Sequence, residues 1–600
     1  MFGNAIQRRA IRGRTMQRRR NGSHPIQHFW DRRFPSLLAP VYLPALPQFL
    51  SAYFEKFQKV FPVIHQPTFI AATAQQPLLQ AVACVGAVYT SGEDYCDISR
   101  ALLESGLKSL DIYVNNHPRV GIQETWVLQA YLLFEYFAIY SCEDSLFNTA
   151  LEIHRKLVDV ARQYQLLQDG VMSGTAGQGL SSPADSTAAH GSSLGRDWHL
   201  AIRSESRKRV MYSLYYLDSQ LSMCFNLRPH LAALEVKFDL PCRDDVWSAP
   251  TAEAWKMLAI DQDGSFNEED DDDANGEPRP PHGDLYSSLM HLMNPRPQAP
   301  PLGLLWHSSF ASLMLIVQLQ MMVRDLTLGS TFLYRNIRAD DPNHALSIIS
   351  ESDRAQVMQA LEALADLMPR VCSQKAIGDP QSPDNSLWNH VWVAWHYTAL
   401  CLTHQDGLLT SGIVEYSLPT AISTAWELGR PRAKKYRDVY EDRDVVRVAT
   451  HLARILDLLT RPALGASVGP ECTGSEDPFT TVIAFKSCLM GWRIVRLITI
   501  GIQDSLRGQR STILPSVYTA FGRSMMYDIL TALDPENDGR LEDVTGDERL
   551  SESSPRSSEM LKDSERHYLE RIEDALTRRN HWPLATWIAA VFTETFHGED

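Results

Sequence analysis

Four groupings in this chain hold residue types that could do chemistry. Gly465-Ala466-Ser467-Val468-Gly469 has the order of a nucleophile elbow. An elbow exposes its serine on a sharp turn from a strand into a helix. Here a helical apolar run ends near Leu459, Pro462 precedes the pentapeptide and Pro470 follows it, so a loop is expected. Asp534 to Glu542 copies the first nine positions of a calcium loop, with Gly539 at the turn. Position twelve is Thr545, which lacks the bidentate carboxylate that closes the coordination shell. His24 and His28 have the spacing of the second half of a zinc finger, but Arg8 and Ile11 stand where its cysteines belong, and Pro25 falls inside its helix. His390 and His396 lie among Trp388, Trp392 and Trp395. Six residues apart, the two histidines point to different helix faces, and the tryptophans recur at helical spacing, which favours core packing over a ligand box.

Nine cysteines are scattered from Cys84 to Cys488, and the closest pair, Cys84 and Cys96, is too far apart to form a C-x2-C hook. Such a set reads as free thiols in a reducing compartment. No H-E-x-x-H, phosphate loop or dinucleotide fingerprint occurs. The expectation is a non-enzyme with no catalytic residue, no cofactor and no metal site.

The elements that would position these residues are helical. Apolar residues recur every three or four positions in Phe49-Tyr53-Phe54-Phe57, in Leu78-Leu79-Val82-Ala83-Gly86 and in Trp126-Leu128-Leu132-Leu133-Phe137. The same period continues through 151–167, 203–226, 308–327, 353–369, 387–404, 444–459, 480–502, 516–533 and 567–576. Few runs alternate with period two, so the expected class is all-α: one large irregular helical regulatory body. Residues 168–196, 261–302 and 534–565 are too poor in large apolar side chains to offset their ordering entropy, and are expected as disordered insertions. The second includes the acid run Glu268 to Asp273. No uninterrupted apolar run approaches the roughly 18 residues of a membrane helix, and the longest candidate, Tyr131 to Tyr140, contains Glu135. No membrane partner is expected.

Charge divides the chain. Its formal net charge is -15, yet residues 1–33 carry nine arginines against the single acid Asp31. The arm is therefore +8 and the remaining body -23. No apolar stretch follows the arginines, so a secretory signal is not expected. Clustered guanidinium groups at Arg8, Arg9, Arg12, Arg14, Arg18, Arg19 and Arg20 suit a nuclear-import receptor or a phosphate backbone; a solvated leader without a partner is the alternative. The expected organisation is a flexible arm over 1–45, a regulatory domain over 46–330 and a helical C-terminal half over 331–600 packed on it.

Several local motifs occur in a fixed order. Val60-Phe61-Pro62-Val63-Ile64-His65-Gln66-Pro67-Thr68-Phe69 is followed by Pro77-Leu78-Leu79 running to Gly86-Ala87-Val88-Tyr89. Trp198 then precedes Glu205-Ser206-Arg207-Lys208-Arg209, which leads into Tyr212, Leu214, Leu217 and Asp218. Leu240-Pro241-Cys242, Trp247 and Ala249-Pro250-Thr251-Ala252-Glu253-Ala254-Trp255 come next. Together these resemble the fungal-specific transcription factor domain, the middle homology region of fungal regulators, and within it the branch that carries C2H2 fingers. The resemblance covers about residues 48–330.

It implies a nuclear transcription regulator, often of a metabolic or secondary-metabolite gene cluster. Its partners would be the transcription machinery or another transcription factor. Members of the family normally bind DNA through a zinc cluster or paired fingers, and no such segment stands in this sequence. Either an upstream finger segment is missing, or regulation runs through another factor. The second reading is a fingerless helical adaptor, or a cytosolic small-molecule sensor without DNA binding. Within the motifs, Pro62 and Pro67 are expected to fix a rigid turn that packs Phe61 and Phe69 inward. Glu205 and Arg209, four apart, favour an ion pair. Asp218 needs an arginine or a backbone to cap. With His65 and Arg207 these are read as structural; the alternative is that the charges line an effector pocket.

Overall fold

In the computed structural model, apolar residues at helical spacing form helices along the whole described chain. The structure describes residues 45–90, 95–118, 120–168, 193–263, 283–294, 308–334, 349–369, 385–404, 407–410, 412, 418–429, 442–460, 476–506 and 555–597. The fold is all-α. Among the described residues no strand forms, and two isolated bridges pair Gln168 with Lys237 and Asp239 with Asp284.

The first layer is α1 (Leu46–Ala52), α2 (Gln76–Val88), α3 (Tyr95–Asn116), α4 (Thr125–Ile139) and α5 (Asp144–Gln163). Helix α2 packs on α1, α3 and α4, and α4 on α5. Helices α2 and α4 are buried on nearly every side, which explains why their sequences are apolar all round rather than striped. The long α6 (Ser193–Phe225) crosses α4 and leads to α7 (Ala252–Asp263), α8 (Leu285–Met293) and α9 (Ser309–Tyr334). Beyond the single-turn helices Asp244–Trp247 and Gly407–Thr410, the described helices that follow are α10 (Glu351–Leu367), α11 (Asn385–Thr403), α12 (Leu418–Gly429), α13 (Asp442–Thr460), α14 (Pro478–Leu506), α15 (Pro555–Thr577) and α16 (Pro583–His597). Helices α9, α11 and α13 stack in succession, α14 lies against α11, α12, α13 and α15, and one hydrophobic cluster runs from Leu46 to Phe592.

The central α9 is long and apolar enough over Ser309–Gly329 to cross a membrane by length and composition, and 72% of that window is buried inside the protein. Its apolar faces are covered by α6 and α11, so the core accounts for its composition.

Four expectations need correcting. Residues 261–302 were expected as one unstructured insertion, yet they contain α8. Asp284 caps it by accepting from the Ser287 amide at 2.7 Å, and Leu285, Leu289 and Leu292 supply a buried stripe. The charged and proline-rich flanks outweigh that short stripe in any composition window. Helix α15 begins at Pro555, inside the stretch 534–565, and α6 begins at Ser193, inside 168–196. In both cases a long helix continues outward past its apolar anchor. The expected helix over Phe49–Phe57 is α-helical only to Ala52 and then widens into a π-type turn over Tyr53–Phe57. The Arg8–Arg20 cluster, His24, His28, Ser467, the calcium-like loop and 516–533 lie outside the described residues.

Candidate functional site

Several buried polar centres occupy this core, and the motif residues build the first of them. After the π-type turn, Gln58 donates to the Ile64 carbonyl and Gln129 donates to that of Val63 at 2.8 Å, holding the Phe61–His65 segment against α4. Phe61 is buried against the rings of Phe57, Tyr136 and Tyr216, and Pro62 is buried beside it. Pro67 lies exposed in the single turn Gln66–Thr68, and Phe69 is half-buried against Phe54 at 5.1 Å.

The His65 ring meets Thr68 Oγ1 at 2.8 Å and packs edge-on against Trp247 at 4.8 Å and near Trp198 at 6.1 Å. Burial, with the charges of Arg209 and His199, lowers its pKa to about 4, so His65 is neutral.

Helix α6 brings Glu205 and Arg209 into the same place. Arg209 Nε donates to Glu205 Oε1 at 2.9 Å, the Cys242 amide donates to the same oxygen at 3.0 Å, and Arg209 Nη2 donates to the Cys242 carbonyl at 3.1 Å. Lys208 adds a second cation 3.2 Å from Glu205. The guanidinium lies 4.4 Å from the Trp247 ring centre and 5.5 Å from that of Phe310. Asp244 accepts from the Ser309 amide and hydroxyl at 2.9 and 2.6 Å, fixing the start of α9. Burial works to raise the Glu205 carboxyl, but Lys208, Arg209 and the Cys242 amide outweigh it and hold the pKa at about 2. Arg207 is half-buried on the same helix.

Asp218, one helix face further on, accepts from the His230 amide at 2.9 Å and the Leu231 amide at 2.7 Å. Its cation is a histidine, where an arginine was one of two expected partners: His154 Nε2 lies 3.0 Å from Asp218, and His154 Nδ1 lies 2.7 Å from Glu135. Burial alone would lower the His154 pKa; the two carboxylates raise it to about 10. Sequence reasoning missed this triad. Its signals were Glu135, a lone charge in an apolar run, and His154, which shares the buried face of α5 with Ala150 and Leu157.

The third centre joins the two ends of the chain. Asp477 accepts from Tyr136 at 2.6 Å and from the Thr480 amide and hydroxyl at 3.0 and 2.6 Å, and His390 also contacts that hydroxyl at 2.7 Å. The neighbouring Glu476 accepts from His581, while its carbonyl accepts from Tyr89 at 2.6 Å. His390 and His396 do face different partners, Thr480 for the first and His451, at 3.1 Å, for the second. Trp388 is buried in the core and Trp392 and Trp395 pack on it.

Most of these groups pair with one another, while His65 Nε2, Glu135 Oε2, Arg209 Nη1 and Glu476 Oε1 are buried without a hydrogen-bond partner. Each carboxylate has its cation or amide partners, and the arrangement holds helices together rather than presenting a reactive atom. Among the described residues no group of three or more His, Cys, Asp and Glu side chains is arranged to hold a metal ion.

The fold and these centres define a large all-helical domain organised around buried polar contacts. Residues 50–300 match the model of the fungal specific transcription factor domain family. A nicotinate catabolism cluster-specific transcription factor of Emericella nidulans is 26% identical over 36% of this chain and 24% of its own length. A zinc finger protein of Schizosaccharomyces pombe is 28% identical over 34% of the chain and 33% of its own length. A transcription factor of Gibberella fujikuroi is 22% identical over 40% and 29%. The chain thus spans about a quarter to a third of the length of these curated relatives. The matching family and two of these three relatives carry the name transcription factor, and none of the names is that of an enzyme. No solved structure matches the chain.

Proposed function

We propose that this chain is the regulatory part of a fungal transcription regulator that works in the nucleus and controls a metabolic or secondary-metabolite gene cluster. The observation that carries the reading is the domain match over residues 50–300, which contains the whole Phe61–Phe69 and Glu205–Asp218 motif set, with Phe61, His65, Glu205, Arg209 and Asp218 buried. The cluster-specific role named for the Emericella nidulans relative supports the finer part of it. The acidic helical body acts through proteins or a small effector, with the transcription machinery or another transcription factor as partner. Residues 46–330 form its regulatory domain and 331–600 a half packed on it; the bonds of Tyr89 to Glu476 and of Tyr136 to Asp477 support that division of labour. Arg8, Arg9, Arg12, Arg14, Arg18, Arg19 and Arg20 supply nuclear import or contact a phosphate backbone.

The test is a tagged full chain followed by microscopy and by chromatin immunoprecipitation. Nuclear enrichment, loss of it when the arm's arginines are replaced by alanine, and enrichment at promoters of one gene cluster are expected. A chain that stays cytosolic and enriches at no promoter overturns the reading and supports the adaptor or sensor alternative.

A further inference from the structure

Three buried polar atoms around Trp247 make no hydrogen bond: Arg209 Nη1, His65 Nε2 and Trp198 Nε1. Their residues share one neighbourhood. The Arg209 guanidinium lies 4.4 Å from the Trp247 ring centre, the His65 ring lies 4.8 Å from it, and the Trp198 ring lies 6.1 Å from that of His65. Arg209 is fully buried and His65 is 4% exposed. The Trp247 backbone acts on the imidazole without meeting Nε2 in a hydrogen bond. Folds seldom keep buried polar atoms unmet, because each forfeits its hydration without return.

The charges nearby are already matched. Glu205 pairs with Lys208 and Arg209 and accepts from the Cys242 amide, and Asp244 accepts from the Ser309 amide and hydroxyl within the field of Arg209. Two cations therefore stand against two carboxylates. A further anion would be unbalanced here, so the partner that suits the unmet N–H groups is a neutral oxygen acceptor. Its surroundings are flat: the indoles of Trp198 and Trp247, the His65 imidazole, and Phe310, whose ring centre lies 5.5 Å from the guanidinium.

We infer that this neighbourhood binds a small, neutral, planar aromatic carbonyl compound, whose oxygen accepts from the unpaired N–H groups of Arg209 and Trp198. A carbonyl oxygen has two lone pairs and can meet both. His65 Nε2 serves as donor or acceptor to the same ligand, since a neutral imidazole carries its proton on either nitrogen. Trp198 is half-buried and the adjacent His199 is exposed, so the site borders solvent on that side. Occupation would tie α6 to the segments that carry His65 and Trp247. The inference deepens the effector part of the proposed function and rests on it for its regulatory meaning.

The test titrates the purified full chain with benzamide by isothermal calorimetry, with toluene and benzoate as comparisons. Benzamide should bind saturably at one site. Toluene, which lacks the oxygen, and benzoate, which brings a charge, should each bind weaker by about tenfold or more. Trp198→Phe keeps a ring and removes the indole donor. That donor has no partner within the fold, so the variant should weaken benzamide several-fold while its thermal midpoint stays near that of the native chain. Absence of saturable benzamide binding, toluene binding as tightly as benzamide, or benzoate binding more tightly than either overturns the inference. So does an unchanged benzamide affinity in folded Trp198→Phe. The three titrations of the unsubstituted protein decide the matter even if the variant fails to fold. None of them depends on localisation, so a chain that binds benzamide yet stays cytosolic overturns the proposed function and leaves the site standing.

Discussion

Trp582 donates its indole N–H to the Tyr89 hydroxyl at 3.0 Å, joining residues 493 positions apart in the sequence. Tyr89 ends α2, and Trp582 occupies the turn between α15 and α16, so the last helical pair of the chain is pinned to the first layer. The indole also sits 5.4 Å from Tyr136, 6.2 Å from Tyr140 and 6.3 Å from Phe57, at the centre of an aromatic cluster. Trp582→Ala leaves a cavity there and should cost about 3–5 kcal/mol. Trp582→Phe keeps a ring and loses the donor. Because Tyr89 still donates to the Glu476 carbonyl, its cost should be about 1 kcal/mol. Urea titrations of the two variants measure both, and equal losses would refute the division into cavity and hydrogen bond.

Little of that junction was legible beforehand. The helical class was, because α9, α11 and α14 carry apolar side chains at a period that only a helix places on shared faces. The Glu205–Arg209 pair was legible too, since its four-residue spacing is a local instruction. Tyr89–Trp582 and Tyr136–Asp477 are contacts between distant segments, and no local pattern in either partner encodes the other. His154 could have been read as buried from its place on the α5 stripe, but which carboxylates flank it depends on how α4 and α6 cross. Helix α8 stayed hidden because its apolar stripe is short and its flanks are acidic and proline-rich.

Gly86 marks the closest approach of α2 to α1. A Cβ at this position would stand 1.9 Å from the Phe49 carbonyl oxygen, and that oxygen belongs to backbone inside a helix, which cannot swing aside as a side chain can. Gly86→Ala should therefore destabilise by about 3 kcal/mol, against the usual gain from replacing a helical glycine by alanine. A lowered urea midpoint with an unchanged slope is the expected result. A neutral or stabilising substitution would mean that the two helices can separate without cost.

Glu205 should give the fold an acid-labile component. Its pKa falls from an ordinary 4.5 to about 2 in the folded chain. A carboxylate depressed in this way contributes stability that is complete above about pH 4.5 and disappears as pH drops through about 2. The shift corresponds to about 3 kcal/mol. Glu205→Gln keeps the shape but leaves the fully buried Arg209 without its carboxylate, so a loss of about 3 kcal/mol is expected near neutral pH. The gap between the two proteins should close as pH falls from about 4.5 towards 2. A gap that stays constant across that window would assign the loss to packing instead.

His154 works in the opposite pH direction. Its folded-state pKa is raised from 6.5 to about 10, where burial opposes charge and Glu135 and Asp218 restore it. A cation stabilised this way contributes fully below about pH 6.5, and its contribution is lost as pH rises through about 10. Stability should therefore decline on the alkaline side in the native protein, and this decline should be absent in His154→Gln. The substitution also leaves two buried carboxylates facing each other without a cation, a loss of about 3–5 kcal/mol near neutral pH. Burial already pushes the Glu135 carboxyl upward, so mild acid can protonate it and relieve the repulsion. The variant's deficit should accordingly be largest near neutral pH and shrink as pH falls, as read by urea unfolding across an acid series. A deficit that does not change with pH would show that His154 serves as a space-filling ring rather than as the charge between two acids.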